Sequence, residues 1–215
     1  MNQNQTPSQA IRASYDSVAD EYARRMFDEL KNKPLDRELL DRFAAATAGK
    51  SAVCDMGCGP GHVARHLHDA GAQAFGLDLS DAMLEQARRL NPGLTFRQGD
   101  MMALDLEDGS LAGITAFYAI VNWPEASLLT VFREMHRVLQ AGGLLLLGFH
   151  IGDEVLHRTD FLDRPVDMDF YCFQPAAICG LLEQAGFAIK EVVEREPYPE
   201  VEHPTRRAYV FARKA

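Results

Sequence analysis

Three glycines at alternate positions close a short apolar run, in Val53-Cys54-Asp55-Met56-Gly57-Cys58-Gly59-Pro60-Gly61-His62. A helix-like pattern, His62 to Ala70, follows at once. An apolar strand that runs through a glycine turn into a helix is the opening unit of an open α/β sheet. Glycine lets backbone approach a ligand with no side chain in the way. The helix start offers free N–H groups at the same spot. The stretch therefore points to a site for a nucleotide-like cofactor; its ligand-free reading is a tight turn between a buried strand and a helix.

The spacing narrows the cofactor. A dinucleotide fingerprint places glycines first, third and sixth; here those positions hold Gly57, Gly59 and His62. Pro60 removes a backbone donor that a pyrophosphate would need and a phosphate-free cofactor would not. No Gly-Lys-Ser/Thr follows, which excludes a P-loop.

Strand and helix patterns alternate after residue 50, which predicts a parallel sheet covered on both faces. The expected strands lie near 51–55, 73–78, 94–98, 112–118, 143–149, 186–193 and 207–213, and the helices near 60–70, 81–90, 125–140 and 175–185. Ser80 is the expected N-cap of the helix from Asp81 to Leu90. Ala141-Gly142-Gly143 is expected to end a long helix and open the most apolar strand, Leu144 to Phe149, whose unbroken run suits burial on both faces.

Two segments lie outside the alternation. Residues 1–48 read as an uncharged polar tail, Met1 to Gln9, followed by two helices split near Pro34 that cap the main unit, 49–215. Residues 151–174 show no clean period, yet Phe161, Phe170, Tyr171 and Phe173 make them too apolar for a solvated linker, so a lid on the substrate side is expected.

Asp78 ends the second strand, 17 residues after Gly61. An acid there receives ribose hydroxyls in doubly wound sheets. His150 ends the fifth strand and is a candidate base. Asn122 and Trp123 follow the fourth strand at the mouth of the sheet, and Tyr171 and His157 are lesser candidates on the lid. Arg164, Asp167, Asp169, Tyr198, Glu202 and His203 read as solvated loop residues or local ion pairs. The pair Arg206-Arg207 reads as strand-edge charge or as an anion clamp.

Composition bounds the partners. A net charge of −9 on 215 residues, with no basic stripe, argues against nucleic acid. No apolar run approaches the ~20 residues of a membrane span. Cys54, Cys58, Cys172 and Cys179 lack the paired spacing of a zinc site and read as reduced thiols of a cytoplasmic protein, with no metal.

Asp-x-Gly-x-Gly-x-Gly at 55–61 resembles motif I of the class I S-adenosylmethionine-dependent methyltransferases. Leu104-Asp105-Leu106-Glu107-Asp108-Gly109-Ser110-Leu111 is similar to the stretch before the fourth strand of the methyltransferase-11/25 type. Arg137-Val138-Leu139-Gln140-Ala141-Gly142-Gly143 looks like that type's arginine-valine-leucine-x-proline-glycine-glycine signature, with Ala141 in place of proline. Ser14 to Tyr22 resembles its N-terminal segment, whose tyrosines, here Tyr15 and Tyr22, close over the cofactor.

The resemblance implies a Rossmann-like, doubly wound, mostly parallel seven-stranded sheet with an N-terminal helical cap. It implies S-adenosylmethionine as cofactor, S-adenosylhomocysteine as product, and a small-molecule methyl acceptor. Asp55, Gly57 and Gly59 would then serve the amino-acid end, Asp78 and Leu79 the ribose, and Asp100 and Met101 the adenine. Phe117 and Tyr118 would line the other side. Two positions depart from the pattern: Ala112, where many relatives carry an acid, and Asn122, where many carry histidine. The competing readings are a non-catalytic S-adenosylmethionine-binding protein, an NAD-dependent oxidoreductase and a macromolecular methyltransferase. The atom that is methylated and the choice between monomer and homodimer stay open.

Overall fold

The structure, a computed structural model, describes residues 6–215. Thr6 and Gln9 close a capping box at the start of helix α1 (Pro7–Met26). That box satisfies two N-terminal donors reciprocally, so residues 6–9 begin a helix where a loose tail was expected; residues 1–5 of that tail lie outside the described residues. A short 3-10 turn, Glu29–Asn32, leads into α2 (Pro34–Thr47), which opens on the proline expected to divide the segment.

The sheet comprises β1 (Val53–Met56), β2 (Ala74–Asp78), β3 (Thr95–Gln98), β4 (Leu111–Phe117), β5 (Leu139–His150) and two later strands, β8 (Phe187–Arg195) and β9 (Arg207–Lys214). Its order is β3-β2-β1-β4-β5-β9-β8, and β9 alone runs antiparallel, to both of its neighbours. The other contacts in the sheet are parallel, so the mostly parallel seven-stranded expectation holds.

Helices cover both faces. Leu145, Leu147 and Phe149 of β5 pack with α5 (Glu125–Val138) and α6 (Pro175–Gln184), while Leu144 and Leu146 pack with α2 and with α3 (His62–Asp69). An apolar run with no polar alternation is what a strand enclosed on two sides requires. Helix α4 (Asp81–Leu90) joins α3 through Leu84, Ala87 and Ala64, and Ser80 caps it by accepting from the Met83 N–H.

Helix α5 ends at Val138, and β5 starts at Leu139 rather than after Gly143. Leu139 pairs with Leu111, and the register then shifts before Gly113 meets Leu144. The expected glycine boundary is therefore a bulge inside the strand, with Gly142 at φ 71°.

Residues 155–171 form a hairpin, β6 (Val155–Phe161) and β7 (Arg164–Tyr171), where an aperiodic lid was expected. Its two turn residues, Leu162 and Asp163, both have positive φ, at 55° and 61°. Such turns are signalled by Asn-Gly or Asp-Gly, and Leu-Asp gave no such signal. The hairpin packs against α1 through Phe161 and Val166, which join Val18, Ala19 and Met83 in one apolar cluster.

Candidate active site

The carboxyl ends of β1, β2, β3 and β4 open on one cleft, whose empty space, including the part open to solvent, is about 670 Å³. The location is the one that open α/β sheets use for their ligands. Gly57 and Gly59 form its floor, Asp78 and Leu79 one wall, Asp100 and Met101 the next, and Phe117, Tyr118, Asn122 and Trp123 the far side. Helix α1 covers it with Ile11, Arg12, Tyr15 and Tyr22.

The floor is tight because it must be. Gly57 has φ 68°, and a Cβ there would stand 2.5 Å from the Ala119 Cβ. Gly61 caps α3 at φ 83°, where a Cβ would meet the Phe96 ring at 2.7 Å. The loop amides are not free, however. Gly57 and Cys58 both donate to the Leu77 carbonyl, at 2.8 and 3.1 Å, and Gly61 donates to the Cys58 carbonyl at 2.9 Å. Gly59 donates to Asp78 Oδ2 at 2.8 Å. The amides of the glycine loop ahead of this helix are thus already engaged, and Pro60 has none to give.

Asp78 also accepts from the Ser80 N–H, at 2.9 Å through Oδ1. Burial raises its pKa, against the pull of these backbone donors. Asp100 accepts from the Ser8 hydroxyl at 2.6 Å and from the Met102 N–H at 2.8 Å, which turns its carboxylate at the end of β3.

Asp55 stands apart from the cleft. It is 2% exposed and lies behind the glycine loop. Its Oδ2 accepts from the Ala64 N–H at 3.1 Å and its Oδ1 from the Thr115 hydroxyl at 2.9 Å. The acid expected near a ligand's amino group is instead an internal cap for α3, where it satisfies a donor that the glycine at the helix start cannot reach. Burial pushes its carboxyl up to about 7.

The tyrosines of α1 hold the cover in place. The Tyr15 hydroxyl donates to Asn122 Oδ1 at 2.7 Å, and its ring meets Tyr22 edge-on at 6.2 Å. Ile11, Tyr15 and Tyr22 share one face at helical spacing; Ile11, Arg12, Met83 and Ala119 line the cleft without having been marked in the sequence. The Ile11–Tyr15 step of four was the available signal.

His150 and Tyr171 do not line the cleft. His150 Nδ1 bonds the Thr205 hydroxyl at 2.8 Å, and burial, with Arg207 and His203 beside it, drives its pKa down to about 3. Tyr171 stacks on Phe173 at 6.4 Å and sits against Asp169, and burial raises its pKa. No residue of 151–174 reaches the cleft wall. The segment backs α1 instead of covering the mouth itself, because its apolar side chains are used against Tyr22 and its own strands. His157 pairs with Asp169 at 2.9 Å on the exposed side.

Loop residues expected to be solvated are in part buried. Glu202 binds Arg195, which also meets Asp36 at 2.9 Å, and Asp36 accepts from the Tyr209 hydroxyl at 2.9 Å. The Tyr198 hydroxyl accepts from the Leu35 N–H at 3.1 Å. These contacts tie the 196–206 loop to α2. Asp36 is pushed up by burial in spite of Arg195, and Glu29, which burial alone would raise, is held down at about 2 by His62 and Lys33. Among the described residues no group of acids, histidines and cysteines could hold a metal ion, and no helix is long and apolar enough to cross a membrane.

Residues 53–143 match the family model described as "Methyltransferase domain". A malonyl-[acyl-carrier protein] O-methyltransferase of Enterobacter lignolyticus is 33% identical over 137 residues, which are 64% of this chain and 52% of that protein. The chain spans about half the length of the curated relatives it matches first. The fold is shared with magnesium protoporphyrin IX methyltransferase from Synechocystis PCC 6803, solved with bound S-adenosylmethionine, at a TM-score of 0.73 and 18% identity over 100% of both chains. It is shared also with an S-adenosylmethionine-dependent methyltransferase from Mesorhizobium loti, at 0.64 and 24% identity over 82% of this chain and 96% of that one.

Proposed function

We propose that this chain, which carries a class I methyltransferase domain, binds S-adenosylmethionine in the cleft and passes its methyl group to a small-molecule nucleophile. One observation supports this above the others: Gly59, Asp78 and Asp100 line a single cleft at the ends of three successive strands. Two carboxylates on adjacent walls of one cleft suit a ligand rich in hydroxyl and amino donors and carrying positive charge. The raised pKa of Asp78 reflects a carboxylate that burial leaves short of a cation.

The residues present fit that cofactor. Asp78 would take the ribose hydroxyls, Asp100 the adenine amino group, and Leu79 and Met101 the ring faces. Tyr15 and Tyr22 would exclude water from above, with Phe117 and Tyr118 opposite. The cofactor supplies an activated methyl group on a sulfonium whose departure needs no acid. The protein's part is alignment and dryness, the terms in which positioned reactants gain most. Asn122 would offer the polar group nearest the acceptor side.

The spent loop amides disfavour a dinucleotide. With Gly57, Cys58, Gly59 and Gly61 already donating and Pro60 unable to, a pyrophosphate would find no N–H on this turn. The Enterobacter relative's name supports a carboxylic acid acceptor, free or held on a carrier protein.

Calorimetry with S-adenosylmethionine, S-adenosylhomocysteine and NAD tests the cofactor; binding of the first two and not the third is expected. Transfer of an isotope-labelled methyl group to a panel of phenols, thiols, amines and carboxylic acids then separates an enzyme from a binding protein. Absence of affinity for both sulfur ligands would overturn the reading.

A further inference from the structure

Four hydroxyls line the cleft, those of Tyr15, Tyr22, Ser80 and Tyr118, and three of them are spent. Tyr15 donates to Asn122 Oδ1, Ser80 donates to Asp16 Oδ1 at 2.6 Å, and Tyr118 shares a 3.0 Å hydrogen bond with Tyr209 behind the wall. The Arg12 guanidinium on the same wall is bound to Asp81. The Tyr22 hydroxyl makes no hydrogen bond among the described residues; burial and neighbouring charge alone act on it.

The place of Tyr22 is well defined. Its Cε1 lies above the glycine floor, 3.7 Å from where a Cβ on Gly59 would stand. Its ring meets Tyr15 edge-on at 6.2 Å and Phe161 of the hairpin at 6.3 Å. The hydroxyl, one bond beyond Cε1 and Cζ, therefore belongs to the β1 end of the cleft, and β2 separates it from Asp100 at the end of β3.

That end of the cleft offers acceptors and lacks donors. The Gly57 and Gly59 carbonyls accept no backbone hydrogen bond among the described residues, whereas the amides of Gly57, Cys58, Gly59 and Gly61 are engaged and Pro60 has none. The next amides along the chain belong to His62 and Val63, which do not line the cleft. An amino-acid tail brings an ammonium and a carboxylate. Free carbonyls suit the ammonium, but the carboxylate needs a donor from outside the turn. Burial, with the Glu29 charge nearby, pushes the Tyr22 pKa up, so its hydroxyl keeps its proton. Glu29 is itself compensated by Lys33 at 2.6 Å and His62 at 2.9 Å, which limits its repulsion of an incoming anion.

We propose that the Tyr22 hydroxyl donates to the carboxylate of the cofactor's amino-acid tail. The inference rests on the methyltransferase reading of the cleft and adds to it the side chain that distinguishes the acid end of the cofactor. Tyr15, its ring neighbour, keeps its bond to Asn122 and takes no part.

Calorimetry on the whole chain compares S-adenosylhomocysteine with its decarboxylated analogue, which keeps the nucleoside, the sulfur and the amine. The unsubstituted protein should bind the analogue more weakly by roughly 10- to 100-fold, the range of one hydrogen bond to a charged group. Tyr22→Phe keeps the ring, and should weaken S-adenosylhomocysteine by the same factor while leaving the analogue within about twofold. Equal weakening of both ligands would make Tyr22 a packing residue, and no weakening of either would put the carboxylate elsewhere; each result overturns the proposal. Where the variant fails to fold, carbon-13-labelled tyrosine in the unsubstituted protein decides. The Tyr22 Cζ resonance should differ between the two complexes, and identical resonances would overturn the proposal. Binding of S-adenosylhomocysteine without discrimination against the analogue sinks this inference alone, whereas binding of neither ligand sinks the methyltransferase reading.

Discussion

The Tyr15 hydroxyl donates to Asn122 Oδ1 at 2.7 Å, and Asn122 Nδ2 donates onward to the Asp169 carbonyl at 2.9 Å. One side-chain amide thus joins α1, the segment after β4 and the hairpin across the cleft. Burial, with Asp78 beside it, pushes the Tyr15 pKa up, so its hydroxyl remains a donor through the working pH range. Tyr15→Phe removes the donor and keeps the ring. Loss of one such hydrogen bond, worth about 0.5–1.5 kcal/mol, should raise the Kd for S-adenosylmethionine by roughly 2- to 12-fold in calorimetry. An unchanged Kd would show that this latch does not serve the cofactor.

Asp55 makes stability depend on pH in an unusual direction. Its folded pKa of about 7 lies above the value near 3.9 expected in the unfolded chain. Below both values the group is protonated in either state. As pH rises between them, the unfolded chain loses its proton and the folded one retains it, so stability falls. Asp55→Asn keeps an acceptor for the Ala64 N–H and turns an amide donor toward the Thr115 hydroxyl, which then accepts. Relative to this variant, the natural protein should lose on the order of 4 kcal/mol between about pH 4 and pH 7. Urea unfolding at intervals across that range tests it; parallel curves for the two proteins would refute the assignment.

Gly57→Ala should unfold the loop before it affects any chemistry. The new methyl group would meet the Ala119 Cβ at 2.5 Å on a backbone at φ 68°. Overpacking and left-handed strain together should destabilise by about 2–5 kcal/mol. The melting temperature should fall by several degrees, since about 1 kcal/mol moves a domain of this size by roughly 2–4 °C.

His150→Gln should leave kcat at neutral pH within about twofold, where loss of a general base would lower it at least a hundredfold. The imidazole is off the cleft wall, bonded to Thr205, and its pKa lies at about 3. The kcat–pH profile of the natural protein should accordingly show no step between pH 6 and 7 that the variant lacks. A step that disappears with the imidazole would restore its role as base.

Legibility in the sequence followed the range of the interaction. The glycine turn, the acids ending β2 and β3 and the apolar run of β5 are local patterns whose backbone meaning depends on near neighbours, and the cleft contains Gly57, Gly59, Asp78 and Asp100 as a result. The strand limits failed where pairing overrode punctuation: Leu139 extends β5 because Leu111 is there to receive it. The 155–171 hairpin escaped notice because its turn uses Leu-Asp in place of a glycine pair.

Other features had no local signature. Nothing near Asp55 distinguishes an acid that meets a ligand from one that caps α3 from within. Nothing near Glu202 or Arg207 shows that Asp36, more than 150 positions away, belongs to the same buried network. Residue order sufficed to specify an α/β sheet with a cofactor-type turn, since periodicity and glycine geometry act over a few residues. Which carboxylates face the cleft, that His150 does not, and that Tyr22 stands over Gly59 were settled by packing between distant segments, because burial and charge pairing arise only when those segments meet.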